Sequence, residues 1–463
     1  MLVLFLILSL FLVWGVIYCA QQILFKGNLH FLIYFLCVFL PFYVTLQALT
    51  YQQTGSPLLV SLITYLKEIM VFITLMSWLL YRKNVFTTPI RLQATDYLFI
   101  VLLAYALLYV FLPIGGVSFL NKLLYYKNIL MLGLMYFLGR LMVLESYQVM
   151  SILKIIMTVT VLAFILNLFE KSIDTHFQSF IGYANLYQDI NGIEPVGIHG
   201  LTYTFGAESG AKRFAAFFAS PLALAAAMLI SFSTAFFLFL NSKTEMGRYK
   251  YGILILISIA CLLFAYSRSS LVGLFLIIFF TAIILGYYKL ILYGVLAVGL
   301  FFGSIFIFAG DGLRYFVIDT LSLADASSLG HVVEWLEGIN SMISNPLGIG
   351  LGTSGNAGGV NEELKIGGEN QFIIFGVQLG VPFLILYIAL IYSSIRSSVK
   401  SYKLNTSVYD KAIPFIAATF KFAFILSLMT SNAETYLSVA YISWWMVGYS
   451  VQKNAKSSQT SLE

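Results

Sequence analysis

A few ionisable residues in this sequence sit where an apolar chain has least use for them. Arg268 lies in CLLFAYSRSSLVGLFLIIFF, between one apolar run and the next, with Ser267, Ser269 and Ser270 around it. Its guanidinium is a planar, permanently charged fork that matches phosphate oxygens. The plainer alternative is a polar turn between hairpin helices. Arg213, in AKRFAAFFASPLALA, precedes Pro221, which can start or kink a helix; standing alone, it reads first as an interfacial anchor. Glu369 and Asn370 come just before the apolar run of KIGGENQFIIFGVQLGVPF. A carboxylate at a helix amino terminus complements the helix dipole or caps it. Beside two arginines at a membrane edge it can also serve as a general base. Upstream, SLGHVVEWLEGINSMISNPLGIGLGTSG reads as an amphipathic helix carrying His331, with Val332, Leu336 and Ile339 on one face, followed by Gly348, Gly350, Gly352 and Gly355. Glycines permit tight turns and close backbone approach to a ligand, although a plain connector explains such a run as well.

A second set of charges lies within apolar runs. Lys67 and Glu68 are central in PLLVSLITYLKEIMVFITL, Lys127 comes early in its run, and Lys421 is central in AIPFIAATFKFAFILSL. An ionisable group at the centre of a membrane helix costs at least about 2.5–3.5 kcal/mol, so it faces protein or water. Mutual neutralisation or snorkelling to an interface accounts for these residues as readily as a ligand role does.

The elements that position these groups follow from composition. Hydrophobic residues make up 60% of the 463-residue chain and charged residues only 10%, too little polar surface for a soluble domain. The reading is an all-α, polytopic integral membrane protein forming a single domain over residues 1–463. A span needs about 20 apolar residues. Suitable windows lie near 2–20, 29–49, 57–81, 96–113, 123–143, 149–169, 215–240, 251–267, 269–288, 290–309, 371–395, 412–431 and 435–452. They predict about 13 transmembrane helices, within a range of 12 to 14, one of the first two being open to a re-entrant reading. Residues 1–20 lack a basic stretch before the apolar run and read as a retained span, not a signal peptide.

Lysines and arginines in short loops mark the cytoplasmic side. Arg82, Lys83, Arg140, Lys243, Arg248, Lys250, Arg396, Lys400 and Lys403 then fall inside, together with a cytoplasmic tail over 453–463. Two long loops, about 170–214 and 310–370, fall outside. They collect Glu170, Asp174, Asp189, Glu194 and Glu208, then Asp311, Asp319, Asp325, Glu334, Glu337, Glu362, Glu363 and Glu369. The net charge of +6 is scattered over short loops with no basic stripe, so nucleic acid is not an expected partner. Cys19, Cys37 and Cys261 are at neither metal-ligand nor redox spacing.

In this order and placement, three stretches resemble the bacterial O-antigen polymerase and O-antigen ligase superfamily. They are Arg-x-x-x-x-Phe-x-x-Pro from Arg213 to Pro221, Ser-Arg-Ser-Ser-Leu from Ser267 to Leu271, and the stretch from His331 through Asn-Pro-Leu-Gly-Ile-Gly-Leu-Gly to Glu369-Asn370 and Gln-Leu-Gly. The resemblance covers about Arg213 to Ile395. It implies a metal-independent membrane glycosyltransferase without cofactor, in the bacterial inner membrane, working on the extracytoplasmic face. Its substrates would be an undecaprenyl-diphosphate-linked oligosaccharide and a glycan acceptor in the membrane lipid, with a chain-length regulator protein as a further partner. By the same resemblance Arg213 and Arg268 would hold the donor diphosphate. Glu369 stands where ligases have a histidine thought to activate the acceptor, and polymerase-like members often have Glu or Asp there, while His331 is the competing base. The expected activity is polysaccharide polymerisation. A ligase moving finished glycan to lipid A core or protein shares the chemistry, and a transporter or flippase for lipid-linked oligosaccharide is the alternative from another class.

Overall fold

The computed structural model describes residues 1–81, 91–197, 199–206, 210–308, 326–355 and 368–460. Among the expected features, Arg82, Lys83, Glu208, Asp311, Asp319, Asp325, Glu362 and Glu363 lie outside these residues, as does the end of the expected tail.

The described residues contain no strand, only an isolated antiparallel bridge between Gly206 and Lys212. The chain runs through α1 (Leu2–Lys26), α2 (Phe31–Thr54), α3 (Pro57–Tyr81), α4 (Ala94–Phe111), α5 (Phe119–Leu141) and α6 (Ser146–Ser172). Two short helices follow, α7 (Phe177–Phe180) and α8 (Tyr183–Asp189). Next come α9 (Pro221–Asn241), α10 (Glu245–Ala265), α11 (Arg268–Leu285) and α12 (Tyr288–Phe308), and then the helices Ala326–Ser344, Gln371–Leu404, Val408–Thr430 and Leu437–Thr460. Ten of these are long and apolar enough to cross a bilayer. The first two windows are both full-length helices.

The apolar surface is turned outward as well as inward, which identifies the solvent. Helix α1 buries only Cys19, Gln22 and Ile23, leaving Leu6, Leu10, Phe11 and Trp14 exposed. Such a helix is stable facing hydrocarbon, where its own backbone bonds satisfy every internal polar group. The protein is accordingly a multi-pass membrane protein.

With lipid outside, apolar burial no longer drives helices together, and close backbone packing takes its place. Helix α5 and the Leu437–Thr460 helix touch main chain to main chain. A Cβ on Gly448 would lie 1.9 Å from the Tyr136 carbonyl oxygen, and one on Gly139 would lie 2.2 Å from that of Trp445. At one end of the same contact, Arg140 Nε meets Asp96 Oδ1 at 2.9 Å, and its NH2 group reaches Asp96 Oδ2 at 3.0 Å and the Arg91 carbonyl at 2.9 Å. Tyr136 donates to the same Asp96 carboxylate at 2.6 Å. Both charges are buried and every partner is in place, which is what makes a buried pair tolerable.

Two boundaries differ from the sequence windows in a way that matters. The window from 215 becomes a helix only at Pro221; residues 214–220 form a non-helical segment, because Ser220 caps the helix (its Oγ accepts the Ala223 N–H at 3.2 Å) and Pro221 fills the first turn. The Gln371–Leu404 helix breaks at Gly380 (φ 84, ψ 170), before Pro382. The turn Asn345–Leu351 packs into that break. Val381 N–H donates to the Pro346 carbonyl at 2.9 Å, Gly350 N–H to that of Gln378 at 3.0 Å, and a Cβ on Gly348 would come within 2.5 Å of Gly380 N. Gly348 and Gly380 are therefore required by main-chain approach, the connector role of the glycine run.

Candidate functional site

The segment carrying Arg213 is held by its backbone from five directions. Arg213 N–H donates to the Phe205 carbonyl at 2.9 Å, and Phe214 N–H to that of Phe264 at 3.0 Å. Glu170, buried in the last turn of α6, accepts the Ala216 N–H at 3.0 Å with one oxygen and the Phe177 N–H at 2.9 Å with the other. Gln178 donates to the Ala216 and Phe218 carbonyls at 2.8 and 3.2 Å, and Thr45 on α2 donates to that of Phe217 at 2.9 Å. These bonds fix Ala216 at φ 50, a left-handed conformation that an alanine adopts only when its surroundings impose it. Phe214 to Phe218 are buried, so the segment emerges at the half-buried Arg213. Sequence reasoning treated Glu170 as a loop acid and gave Gln178 no role. Their partners lie 46 and 38 residues away, beyond any local spacing signal.

The same contacts bring the second arginine alongside. Phe264, which receives Phe214, lies in the last turn of α10. The chain then turns through Tyr266 at φ 49 and Ser267, whose Oγ lies 3.1 Å from that of Ser270, and Arg268 opens α11 in an exposed position. The two arginine segments thus meet along one main-chain contact, although they are far apart in sequence.

Glu369 sits in the turn that leads into the Gln371–Leu404 helix. Asn370 caps that helix, its Oδ1 accepting the Phe372 and Ile373 N–H groups at 3.0 and 3.3 Å. Gly368 (φ 57) precedes it, and a Cβ there would strike Glu334 Oε2 at 1.9 Å, so only glycine lets the Glu334 carboxylate close over the turn. His331 Nδ1 lies 3.8 Å from Glu334 Oε2. Burial pushes the Glu369 carboxyl above its ordinary range, the negative charge of Glu334 adds to this, and His331 and Arg213 oppose it. Arg213, His331, Glu334 and Glu369 therefore share one electrostatic neighbourhood. Glu334, read earlier only as one of many loop acids, is the member of this cluster that spacing did not single out.

The helix Ala326–Ser344 delivers His331 and Glu334, and it packs on the Gln371–Leu404 helix. Trp335 and Met342 meet Ile373 and Val377, while Leu336 and Ile339 are exposed. An amphipathic helix with apolar residues on two sides suits a lipid surface, where the face away from the protein is also wetted by hydrocarbon.

Three of the four charges within the spans pair. Lys67 Nζ lies 3.3 Å and Lys127 Nζ 3.0 Å from the oxygens of Glu68. They line a polar cavity of about 460 Å³ between α3, α5, the start of the Gln371–Leu404 helix and the 431–437 connection, together with Asn128, Gln371 and Glu434. Lys421 is fully buried, its Nζ 3.6 Å over the Trp444 ring centre. Trp444 in turn donates to Glu434 at 3.1 Å, and Tyr387 donates to the same carboxylate at 2.7 Å.

Among the described residues, no three His, Cys, Asp or Glu side chains come close enough to hold a metal ion together. What the rim arrangement can do is hold an anion near one arginine while a half-buried carboxyl, raised in pKa, takes a proton. No family model matches the chain, and no curated protein is significantly similar to it.

Proposed function

We propose that the protein is a polysaccharide polymerase, transferring undecaprenyl-diphosphate-linked glycan onto the terminal sugar hydroxyl of another lipid-linked repeat. The observation that carries this reading is the convergence of Glu369, its carboxyl raised by burial, with Arg213 and His331. A general base works best with a pKa near the operating pH, and an ordinary carboxylate is too weak. In the proposed reaction the Glu369 carboxylate takes the proton of the acceptor hydroxyl as its oxygen bonds to the donor's sugar carbon. The bond from that carbon to the diphosphate breaks, and the electron pair leaves on undecaprenyl diphosphate. Arg213 and Arg268 supply fixed positive charge where that charge develops. His331 stays the alternative base, 3.8 Å from Glu334, with which it shares charge when protonated.

The proposed membrane arrangement has 13 spans. The ten helices above are joined by α5, α12 and the Leu437–Thr460 helix, which coincide with the remaining windows. With the carboxyl end in the cytoplasm, Arg213, Arg268, His331 and Glu369 all lie at the extracytoplasmic rim, at headgroup depth, in the bacterial inner membrane.

Single replacement of Arg213 by Ala or Glu369 by Gln tests the reading. Long-chain glycan should disappear from cells while the protein's abundance in the membrane holds. Normal chain length in both variants sinks it. Deletion of the gene separates polymerase from ligase: single repeats on the final acceptor support polymerisation, whereas polymer accumulating on the lipid carrier supports ligation to lipid A core or protein. The cavity between the spans is the observation that favours a transporter, whose sites lie near the bilayer midplane. Transport predicts undiminished polymer in the Arg213 and Glu369 variants.

A further inference from the structure

A second cavity opens toward the lipid. Helix α1 packs on α2 and α3, and α6 packs on α2. Between α1 and α6 this leaves a groove of about 540 Å³, floored by Phe35 and Phe39 of α2 and walled by Phe11 and Trp14 of α1 and by Val159 and Leu162 of α6. It follows the helix axes from Leu8 to Cys19 on α1 and from Phe31 to Leu46 on α2, about 16 and 22 Å at 1.5 Å per residue. That is enough to take a lipid tail across one leaflet of a hydrocarbon core about 30 Å thick.

One residue does not suit a groove made for hydrocarbon alone. Lys154 of α6 is the one charged side chain among the described residues that line it, is exposed, and forms no ion pair with a described carboxylate. No acid in the walls answers it. Residues 1–54, which supply α1 and α2, contain Lys26 but no Asp or Glu, and Glu145 is engaged in capping α6.

The depth of Lys154 is that of a lipid headgroup. With 27 residues, α6 is about 40 Å long and stands about 5 Å beyond the hydrocarbon on each side. Lys154 lies about 12 Å along the helix from Ser146, hence about 7 Å inside that boundary. A helical side chain leans toward the amino terminus of its helix, here toward the near surface, so the lysine stem carries its ammonium back to the boundary. Tyr34 lines the same end, its hydroxyl donating to the Gln148 carbonyl at 3.4 Å, and Tyr18 joins it through Phe31, ring centres 5.6 Å apart. Amphipathic rings of this kind mark the membrane interface.

We propose that this groove binds a glycerophospholipid with an anionic headgroup, one acyl chain lying along α1 and α2 and the headgroup phosphate pairing with Lys154. The tail is called for by the apolar walls and the negative charge by the unanswered lysine. The proposal goes beyond the transfer reading and does not depend on it. Gly15 offers a way to close the groove. It lines the α1 wall, and a Cβ there would meet nothing within 4 Å, so a larger side chain takes up groove space without displacing a packed helix.

Full-length protein stripped of lipid in a neutral detergent can be titrated with phosphatidylglycerol or with phosphatidylcholine of the same acyl chains, bound lipid being counted by native mass spectrometry. Phosphatidylglycerol should bind about tenfold more tightly, the size expected for one charge-assisted contact. Lys154→Met should abolish that preference and Lys154→Arg should keep it. Lys26→Met, which removes the other cation of these helices but lies outside the groove, should leave it unchanged. Gly15→Phe should weaken both lipids alike. Glycerol 3-phosphate, which has the phosphate without a tail, should not displace the lipid. The proposal is overturned if the two lipids bind equally, if the preference survives Lys154→Met or is lost equally in Lys26→Met, if Gly15→Phe leaves binding intact, or if glycerol 3-phosphate displaces the lipid. It is also overturned if the groove holds a second copy of the chain, seen as a dimer that Gly15→Phe dissociates. Polymer formation in the Arg213 variant decides the transfer reading and leaves this result untouched.

Discussion

Two clusters at different ends of the bundle contain the same kinds of group and treat them in opposite ways. In one, Asp96 and Arg140 are buried, each oxygen of the carboxylate is bonded to the guanidinium, and Tyr136 and the Arg91 carbonyl take up what remains. In the other, Arg213, His331, Glu334 and Glu369 lie near one another at partial exposure, and Glu369 is pushed toward protonation. The first cluster has no capacity left for a ligand and serves the fold. In the second, the segment that carries Arg213 is made rigid through its backbone. The bonds from Glu170, Gln178 and Thr45 all go to main chain.

Substitutions should separate the two. Asp96→Ala leaves Arg140 buried without its partner and should cost about 3–5 kcal/mol of stability, read as loss of monodisperse protein after detergent extraction. The double change Asp96→Leu with Arg140→Met should recover much of that loss, since a buried pair is often replaceable by apolar packing. Arg213→Ala should reverse this profile: folded protein at the normal level, with polymer formation reduced about 10²–10³-fold, as for removal of a group that stabilises developing negative charge. If Arg213→Ala instead destabilises as Asp96→Ala does, the contrast between the clusters fails. Gly448→Val, at the backbone contact beside Asp96, should cost about 1–3 kcal/mol through forced separation of the helices, measured by thermal unfolding in detergent.

The smallest effects concern pH. In the proposed reaction Glu369 serves as a base only when ionised, so the rate should fall as pH drops through its raised pKa. The acid limb should therefore lie above the 4.5 of an unperturbed glutamate, and measurement of rate against pH in nanodiscs would show it. His176 sits under the Arg213 segment, its ring centre 5.5 Å from that of Phe205 and 5.4 Å from that of Phe214. Burial, with help from His199 and Lys212, lowers its pKa from 6.5 to about 4. The unfolded histidine binds a proton first as pH falls, so the loop's stability is complete above 6.5 and declines between 6.5 and 4. Amide exchange in the 173–206 region should speed up across that window, and His176→Phe should flatten the dependence.

Several particulars show how far linear reasoning reaches. The apolar windows coincide with long helices because the length of a span is set by bilayer thickness, a property that a single segment carries alone. The start at Pro221 was visible as a local option, and so was a cap before Gln371, since both act within one turn, although the cap was read on the Glu369 carboxylate and Asn370 supplies it. The roles of Glu170 and Gln178 were not visible, because their bonds reach the Arg213 segment across the loop. The packing face of the Ala326–Ser344 helix was not legible, because apolar residues occupy more than one face and the choice of Trp335 and Met342 depends on the partner helix.

The sequence by itself determined that this chain lives in a membrane, roughly where it crosses, and which ionisable residues are out of place in an apolar chain. Those are consequences of transferring each residue type from water to hydrocarbon, and they add along the chain. Only the tertiary structure decided which of those residues meet. It closed Asp96 on Arg140, shared Glu68 between Lys67 and Lys127, and brought Arg213, His331 and Glu334 into the field of the half-buried Glu369. Electrostatic energy depends on distance and burial, and both are fixed by helix packing and backbone anchoring between residues that the sequence keeps far apart.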